Sequence, residues 1–221
     1  MIKAVIFDMD GTLIDTEKYY RIFWPKALAH FGYEMSDEQA LSMRSLGQPY
    51  APQHLKDMFE DPDLDYAAIR KYRKEIMEEC LDENGIEIKP GVFALLDFLK
   101  EKKIKRAIAT ATDTQRTEKY LKNLGLYDYF DEIICATMVE HGKPAPDIFL
   151  KACEELGVKP ERAYAIEDSY NGIRAAYAGK LHPIMVPDLL PETAEMQEKA
   201  EVVLLDLLEV ISYLKGDSHG I

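Results

Sequence analysis

Asp8 and Asp10 stand one residue apart in Ala4-Val5-Ile6-Phe7-Asp8-Met9-Asp10-Gly11-Thr12, where a short apolar run stops abruptly. Three further places carry residues of matching type. Thr110 and Ala111 close Ile108-Ala109, Lys143 lies in His141-Gly142-Lys143-Pro144, and Glu167-Asp168 follow Ala163–Ile166. A carboxylate such as Asp8 can act as a nucleophile, and Asp10 can move protons. Asp8, Glu167 and Asp168 gathered in space would be costly without a cation among them. Oxygen donors with no His or Cys suit a hard ion such as Mg²⁺, which shares phosphate oxygens. The Thr110 hydroxyl and Lys143 ammonium would supply donors to the equatorial oxygens of a phosphoryl group. Each piece alone has a plainer reading. Asp8 to Thr12 could be an acidic turn, Thr110 a cap, Lys143 a solvated lysine, and Glu167-Asp168 the acidic start of a helix. Their conjunction, each at the end of an expected strand, favours the chemical reading.

The elements that must position these groups follow from periodicity. Residues 4–7 read as a strand buried on both faces. Short strands are also expected at 105–109, 132–135, 162–166, 181–186 and 202–204. Helices are expected at 114–124 and 170–178. Val92, Leu95, Leu96 and Leu99 mark one helix face, and Ile148, Ala152 and Leu156 another, with Pro146 suited to the first turn of the latter. Asp206 and Glu209 cap a last helix through Leu214, and the tail from Gly216 to Ile221 reads as frayed. Strand and helix alternating in this way imply an α/β fold with a parallel sheet covered on both faces, ligands meeting its carboxyl edge.

Residues 16–88 break that rhythm. Helices are expected at about 17–31, 37–46 and 65–83, with Ser36 and Gln39 spaced as a capping box. Pro25 should kink or split the first. The stretch 47–63, with Pro49, Pro52 and Pro62, reads as loop or short helices. Phe23, Trp24, Phe31 and Tyr33 are assigned to a small core of this insert. The division is therefore 1–15 with 89–221 as the sheet domain, and 16–88 as an all-helical cap over the carboxyl edge.

The whole chain sets limits. It is 47% hydrophobic, enough for a core, and carries a net charge of −13 without a basic stripe. That argues against nucleic acid and leaves an anionic ligand to be drawn by local positive groups or a metal. No apolar run approaches the roughly 18 residues of a membrane span, and no signal peptide is recognisable. Cys80, Cys135 and Cys153 lack metal-ligand spacing and suit a reducing compartment, so a cytoplasmic monomer is expected.

The segments FDMDGTLIDTE (7–17), IATAT (108–112), GKPAPDIF (142–149) and IEDSYNGIRAA (166–176) resemble the haloacid dehalogenase-like hydrolases. The resemblance implies a Rossmann-like core with a helical cap, Asp8 as nucleophile and Asp10 as general acid and base. It implies Mg²⁺ on Asp8, the Asp10 main-chain carbonyl and Asp168, with Glu167 in or beside the shell and Asn171 and Gly172 next to it. Thr110, Ala111 and Lys143 would hold the phosphoryl group. Tyr20, Arg44 and Gln48, with Tyr19 and Trp24, are the cap candidates for substrate contact. The nearest branch contains β-phosphoglucomutases and sugar-phosphate phosphatases. This chain departs from the mutase pattern. Tyr19-Tyr20 stand where mutases carry a His, and Arg44 precedes Gly47 where mutases have an Arg after the glycine. A Mg²⁺-dependent phosphatase for a small phosphorylated metabolite, a sugar or polyol phosphate, is the expectation. A sugar phosphomutase is the alternative within enzymes, and a phospho-acceptor switch or non-catalytic binding protein the alternative outside them.

Overall fold

The apolar run before Asp8 becomes the middle of a parallel sheet. In the computed structural model, which describes residues 1–216, the strands are β1 (Ala4–Phe7), β2 (Lys105–Thr110), β3 (Glu132–Cys135), β4 (Ala163–Glu167), β5 (His182–Met185) and β6 (Val202–Val203). Their order is β3-β2-β1-β4-β5-β6, every pairing parallel. The chain winds one way from β1 through β2 to β3, then returns to the other side of β1 with β4. Such a reversal opens a crevice at the carboxyl ends of the strands flanking it.

Helices α1 (Glu17–His30), α2 (Asp37–Ser42), α3 (Tyr50–Phe59) and α4 (Tyr66–Asn84) lie between β1 and the rest. Then follow α5 (Val92–Glu101), α6 (Thr114–Asn123), α7 (Asp147–Leu156), α8 (Tyr170–Ala178), α9 (Ala194–Lys199) and α10 (Leu207–Gly216). Successive side chains of β1 serve opposite layers, as the strand period of two requires. Val5 and Phe7 pack with Leu95, Leu96 and Leu99 of α5 and Val210 and Leu214 of α10. Ala4 and Ile6 pack with Ile148, Phe149 and Ala152 of α7 and Ala175 and Ala176 of α8. Alanines at 107, 109, 163 and 165 line that second face. Each large apolar side chain buried this way contributes about 1.5–3 kcal/mol.

The helical insert has its own core of Trp24, Ala27, Leu28, Met43, Leu55, Leu64 and Ile69. Its entry and exit run side by side. Asp15 N–H donates to Glu87 O at 2.8 Å, Lys89 N–H to Leu13 O at 2.9 Å, and Ile14 bridges Ile88. The Ser36–Gln39 capping box forms in both directions.

Several local expectations are corrected. Helix α1 is not split at Pro25 but continues as one element, and the carbonyl deprived of a donor belongs to exposed Arg21, which solvent can serve. The proline-rich stretch 47–63 holds one short helix, α3, as the reading of loop or short helices allowed. Pro49 caps it and Pro52 falls in its first turn, where a missing N–H costs nothing. Helix α2 stops at Ser42, four residues short, because Ser45 turns left-handed and redirects the chain toward the sheet. Helix α9 was not expected, its apolar content being little more than Met196. Pro146 is the residue before α7 instead of part of its first turn. Phe31 lies exposed against His30 and Tyr72, and Phe23 joins the sheet-domain cluster; only Trp24 and Tyr33 pack in the insert. Gly216 closes α10, and the remainder of the tail read as frayed lies outside the described residues. No helix among the described residues is long and apolar enough to cross a membrane.

Two measurements check this packing. Cys135 and Cys153 are buried, and burial raises the Cys153 thiol to about 12, whereas Cys80 is half-buried. At pH 8 a thiol reagent should label Cys80 quickly and the other two only after unfolding. A β-carbon on Gly172 would overlap the Glu167 carboxylate. Gly172→Ala should therefore lower stability by about 1–3 kcal/mol in denaturant melts, the cost of overpacking.

Candidate active site

Strand register brings the separate motifs together. Phe7 is level with Ile108 on one side and Ile166 on the other. The next residue of each strand is therefore Asp8, Ala109 and Glu167, and Asp8 N–H donates to Ile166 O at 2.9 Å. Lys143 reaches this row from the loop before α7. Its ammonium bonds the Asp8 carboxylate, Glu167 Oε1 at 2.5 Å and Ala109 O at 2.9 Å, and the residue is 1% exposed. All three of its protons are thus placed, two of them on anions.

The acids are under strain of charge. Burial drives the Asp8 carboxyl well above its ordinary range; Lys143 opposes that shift, while Glu167, Asp168 and Asp10 reinforce it. Burial also raises Asp168 to about 7 against the pull of Arg44. Burial first lowers the Lys143 ammonium, but Asp8 and Glu167 more than reverse this, so it stays charged.

Donor atoms of Asp8, Glu167 and Asp168 lie within 4.8 Å of one another. Glu167 Oε2 is taken by the Ser169 hydroxyl at 3.0 Å and the Ser169 N–H at 3.3 Å. Asp8 Oδ2 and Asp168 Oδ1, by contrast, are buried with no hydrogen-bond partner. Two orphaned carboxylate oxygens in an all-oxygen cluster fit a hard divalent cation such as Mg²⁺.

Asp10 is held differently. Thr16 donates to its Oδ1 at 2.6 Å, and Thr112 and Thr110 donate to its Oδ2 at 2.7 and 3.2 Å. Thr110 also accepts the Thr112 N–H at 3.0 Å, so its hydroxyl is tied to Asp10. Thr16 and Thr112 were not singled out by sequence. Both lie inside the motifs, at positions where only the fold shows that a hydroxyl faces Asp10.

The helical insert lines the crevice from the other side. A cavity is lined from the sheet by Asp8, Asp10, Ala111 and Thr112, and from the insert by Tyr20, Trp24, Arg44 and Arg73 among others. The Tyr20 hydroxyl lies 3.1 Å from Thr112 Oγ1. Arg44 is engaged by acids: it bonds Asp168 Oδ2, lies 3.3 Å from Glu17 Oε2, and is 3.8 Å from Asp188. Asn171 holds the Arg44 carbonyl at 2.9 Å. Gln48 lines a separate groove with Tyr66 and Lys74, not this cavity. Its main chain serves another purpose: Gly142 N–H donates to Gln48 O at 2.6 Å and Gly47 N–H to Lys143 O at 2.9 Å. These two bonds need the glycines, since a β-carbon on Gly47 would stand 2.6 Å from the α-carbon of Gly142. Tyr19 packs in the sheet-domain core.

The arrangement therefore combines a buried carboxylate beside a fixed ammonium, a second carboxylate held by hydroxyls, and a pair of open oxygens for a cation. Comparison with known proteins gives the family. The family model for haloacid dehalogenase-like hydrolases matches residues 2–179. A phosphorylated carbohydrates phosphatase of Thermotoga maritima is 32% identical over 223 residues, 97% of this chain and 99% of that protein. The fructose-1-phosphate phosphatase YqaB of Escherichia coli is 32% identical over 185 residues, 83% of this chain and 95% of that one. The crystal structure of a β-phosphoglucomutase from Clostridium difficile matches with a TM-score of 0.83 at 26% identity, covering 97% of this chain and 96% of that one. The chain belongs to the haloacid dehalogenase-like hydrolases, in the branch that holds β-phosphoglucomutases and sugar-phosphate phosphatases.

Proposed function

We propose that the protein is a Mg²⁺-dependent phosphatase acting on a small phosphorylated carbohydrate through a phosphoryl group carried on Asp8. One observation carries this reading: Lys143 bridges Asp8 and Glu167 while Asp8 Oδ2 and Asp168 Oδ1 are left without partners. The names of the two similar phosphatases support the substrate class.

In this reading Asp8, Asp168 and the Asp10 carbonyl hold the metal, and Glu167, its oxygens already engaged, stands beside them. The bound ion supplies positive charge that keeps the acids ionised and neutralises phosphoryl oxygens. The Asp8 carboxylate attacks phosphorus in line, its orientation fixed by the Lys143 ammonium. Asp10 gives its proton to the leaving alcohol, which departs. Asp10 then takes a proton from water as that water attacks phosphorus, releasing phosphate and restoring Asp8. The charge of Lys143, with Ala111 just after β2, stabilises the equatorial oxygens, while the Thr110 hydroxyl, already donated to Asp10, holds that residue instead of the phosphoryl group. Residues 16–88 act as a cap that hinges on the paired segments at 13–15 and 87–89 and excludes bulk water. Unpaired Cys80, Cys135 and Cys153 suit a reducing compartment such as the cytoplasm.

Hydrolysis is favoured over mutase chemistry. Arg44, the cap arginine nearest the mutase position, is absorbed by Glu17 and Asp168. A coupled assay should detect no glucose 6-phosphate formed from β-glucose 1-phosphate.

Asp8→Asn should reduce turnover of p-nitrophenyl phosphate by about a thousand-fold or more with the circular dichroism spectrum retained. Substantial residual turnover would remove Asp8 as nucleophile. Chelation with EDTA should abolish activity and added Mg²⁺ restore it; full activity in chelator would contradict the metal requirement.

A further inference from the structure

Arg44 belongs to the helical insert, yet it meets the sheet domain at three points. Its guanidinium bonds Asp168 Oδ2 and lies 3.8 Å from Asp188 Oδ2. Its carbonyl accepts the Asn171 amide, from α8, at 2.9 Å. Within the insert it meets Glu17, the first residue of α1, at 3.3 Å. The residue is 6% exposed, so these bonds are made out of water. Asp188 also accepts Lys89, where the chain leaves the insert, at 2.7 Å. One run of charges thus joins the exit of the insert, Asp188, Arg44 and Asp168.

Asp168 is drawn on from two sides. Its Oδ2 is held by Arg44, whereas its Oδ1 is buried without a partner and belongs to the acidic cluster that fits a divalent ion. A dication on that cluster would share one carboxylate with the guanidinium. Both are positive and both draw on the same negative charge, and little water is present to screen their repulsion. Each therefore weakens the hold of the other, and by linkage the loss is equal in both directions.

We propose that Arg44 is a metal-sensitive latch. Its bond to Asp168 holds the insert down on the sheet domain in the metal-free protein, and a divalent cation on the acidic cluster loosens that bond so that the insert can lift. The proposal rests on the foregoing reading for the metal alone. Lifting without the metal would strand the buried Asp168 carboxylate among other acids, at the cost of breaking a buried ion pair. Lifting with the metal strands neither partner, since Asp168 keeps the ion and Arg44 keeps Glu17 inside the insert. The neutral main-chain bonds between Gly47 and Lys143 and between Gly142 and Gln48 resist lifting equally in both states. The metal thus controls access to the cavity as well as the charge within it.

The test joins two measurements at constant ionic strength, neither of them activity. Trp24 is the single tryptophan and lines the cavity from the insert, so acrylamide quenching of its fluorescence reports lifting. Calorimetry reports Mg²⁺ affinity. Mg²⁺ should raise the quenching of the wild type. Arg44→Met should be quenched readily with or without Mg²⁺ and should bind Mg²⁺ about five-fold more tightly or better. Arg44→Lys, which keeps the charge, should lie between the two. Asn171→Ala removes the carbonyl bond and no charge; it should shift both readouts in the same direction by less, and it carries the test if Arg44→Met does not fold. Weaker Mg²⁺ binding in these variants would make Arg44 an orienter of Asp168 and overturn the latch. Unchanged affinity, or wild-type quenching that Mg²⁺ leaves unmoved, overturns it too. Mg²⁺ binding and Mg²⁺-dependent turnover with no such coupling would sink the latch and leave the phosphatase reading standing. No binding of Mg²⁺ by any of the proteins would sink both.

Discussion

The structure depends on one ammonium buried among carboxylates. Lys143 sits between Asp8 and Glu167 with Asp168 close by, so three acids share the neighbourhood of one lysine. Removing one member of a buried ion pair typically costs about 3–5 kcal/mol, because the partner is left charged and alone. The fold must therefore hold the lysine firmly, and it does so with a backbone carbonyl of the neighbouring strand, Ala109. The remaining excess of negative charge suits the same place to a cation. In the proposed mechanism, the positioning of Asp8 and the recruitment of a metal both follow from that one imbalance.

The sheet exists to impose that imbalance. A strand of four residues, buried throughout, ends with its acid at the row where two neighbouring strands also end. Parallel pairing fixes the register, and the two alanine- and leucine-lined layers fix the sheet. The cap enters the arrangement twice. Arg44 reaches the outer oxygen of Asp168, and the Gly47–Gly142 crossing ties the cap loop to the loop that carries Lys143. Cap position and lysine position are thereby coupled through main-chain bonds.

Much of this was legible in the sequence because it is local. The end of an apolar run, a strand period and a capping box each occupy a few consecutive residues, and Asp8, Asp10, Thr110, Lys143, Glu167 and Asp168 all fall at strand ends or in loops, as expected. What escaped reading depends on partners distant in the chain. Pro52 looks like a helix breaker until the helix start at Tyr50 is known. Gln48 looked like a substrate contact, yet its backbone is what the fold uses. Thr16 and Thr112 matter only because both meet Asp10. Arg73 did leave a trace. It interrupts the buried stripe Tyr66, Ile69, Met77 and Leu81 of α4, a position where a cation is out of keeping with its neighbours.

The account stands or falls on the bond formed at Asp8. Rapid acid quench during turnover of a phosphorylated sugar with Mg²⁺, followed by peptide mass spectrometry, tests it directly. A phosphoryl group on the Asp8 carboxylate, lost on treatment with hydroxylamine, is the predicted result. A phosphoryl group on another side chain, or turnover that passes through no phosphorylated protein, would contradict it.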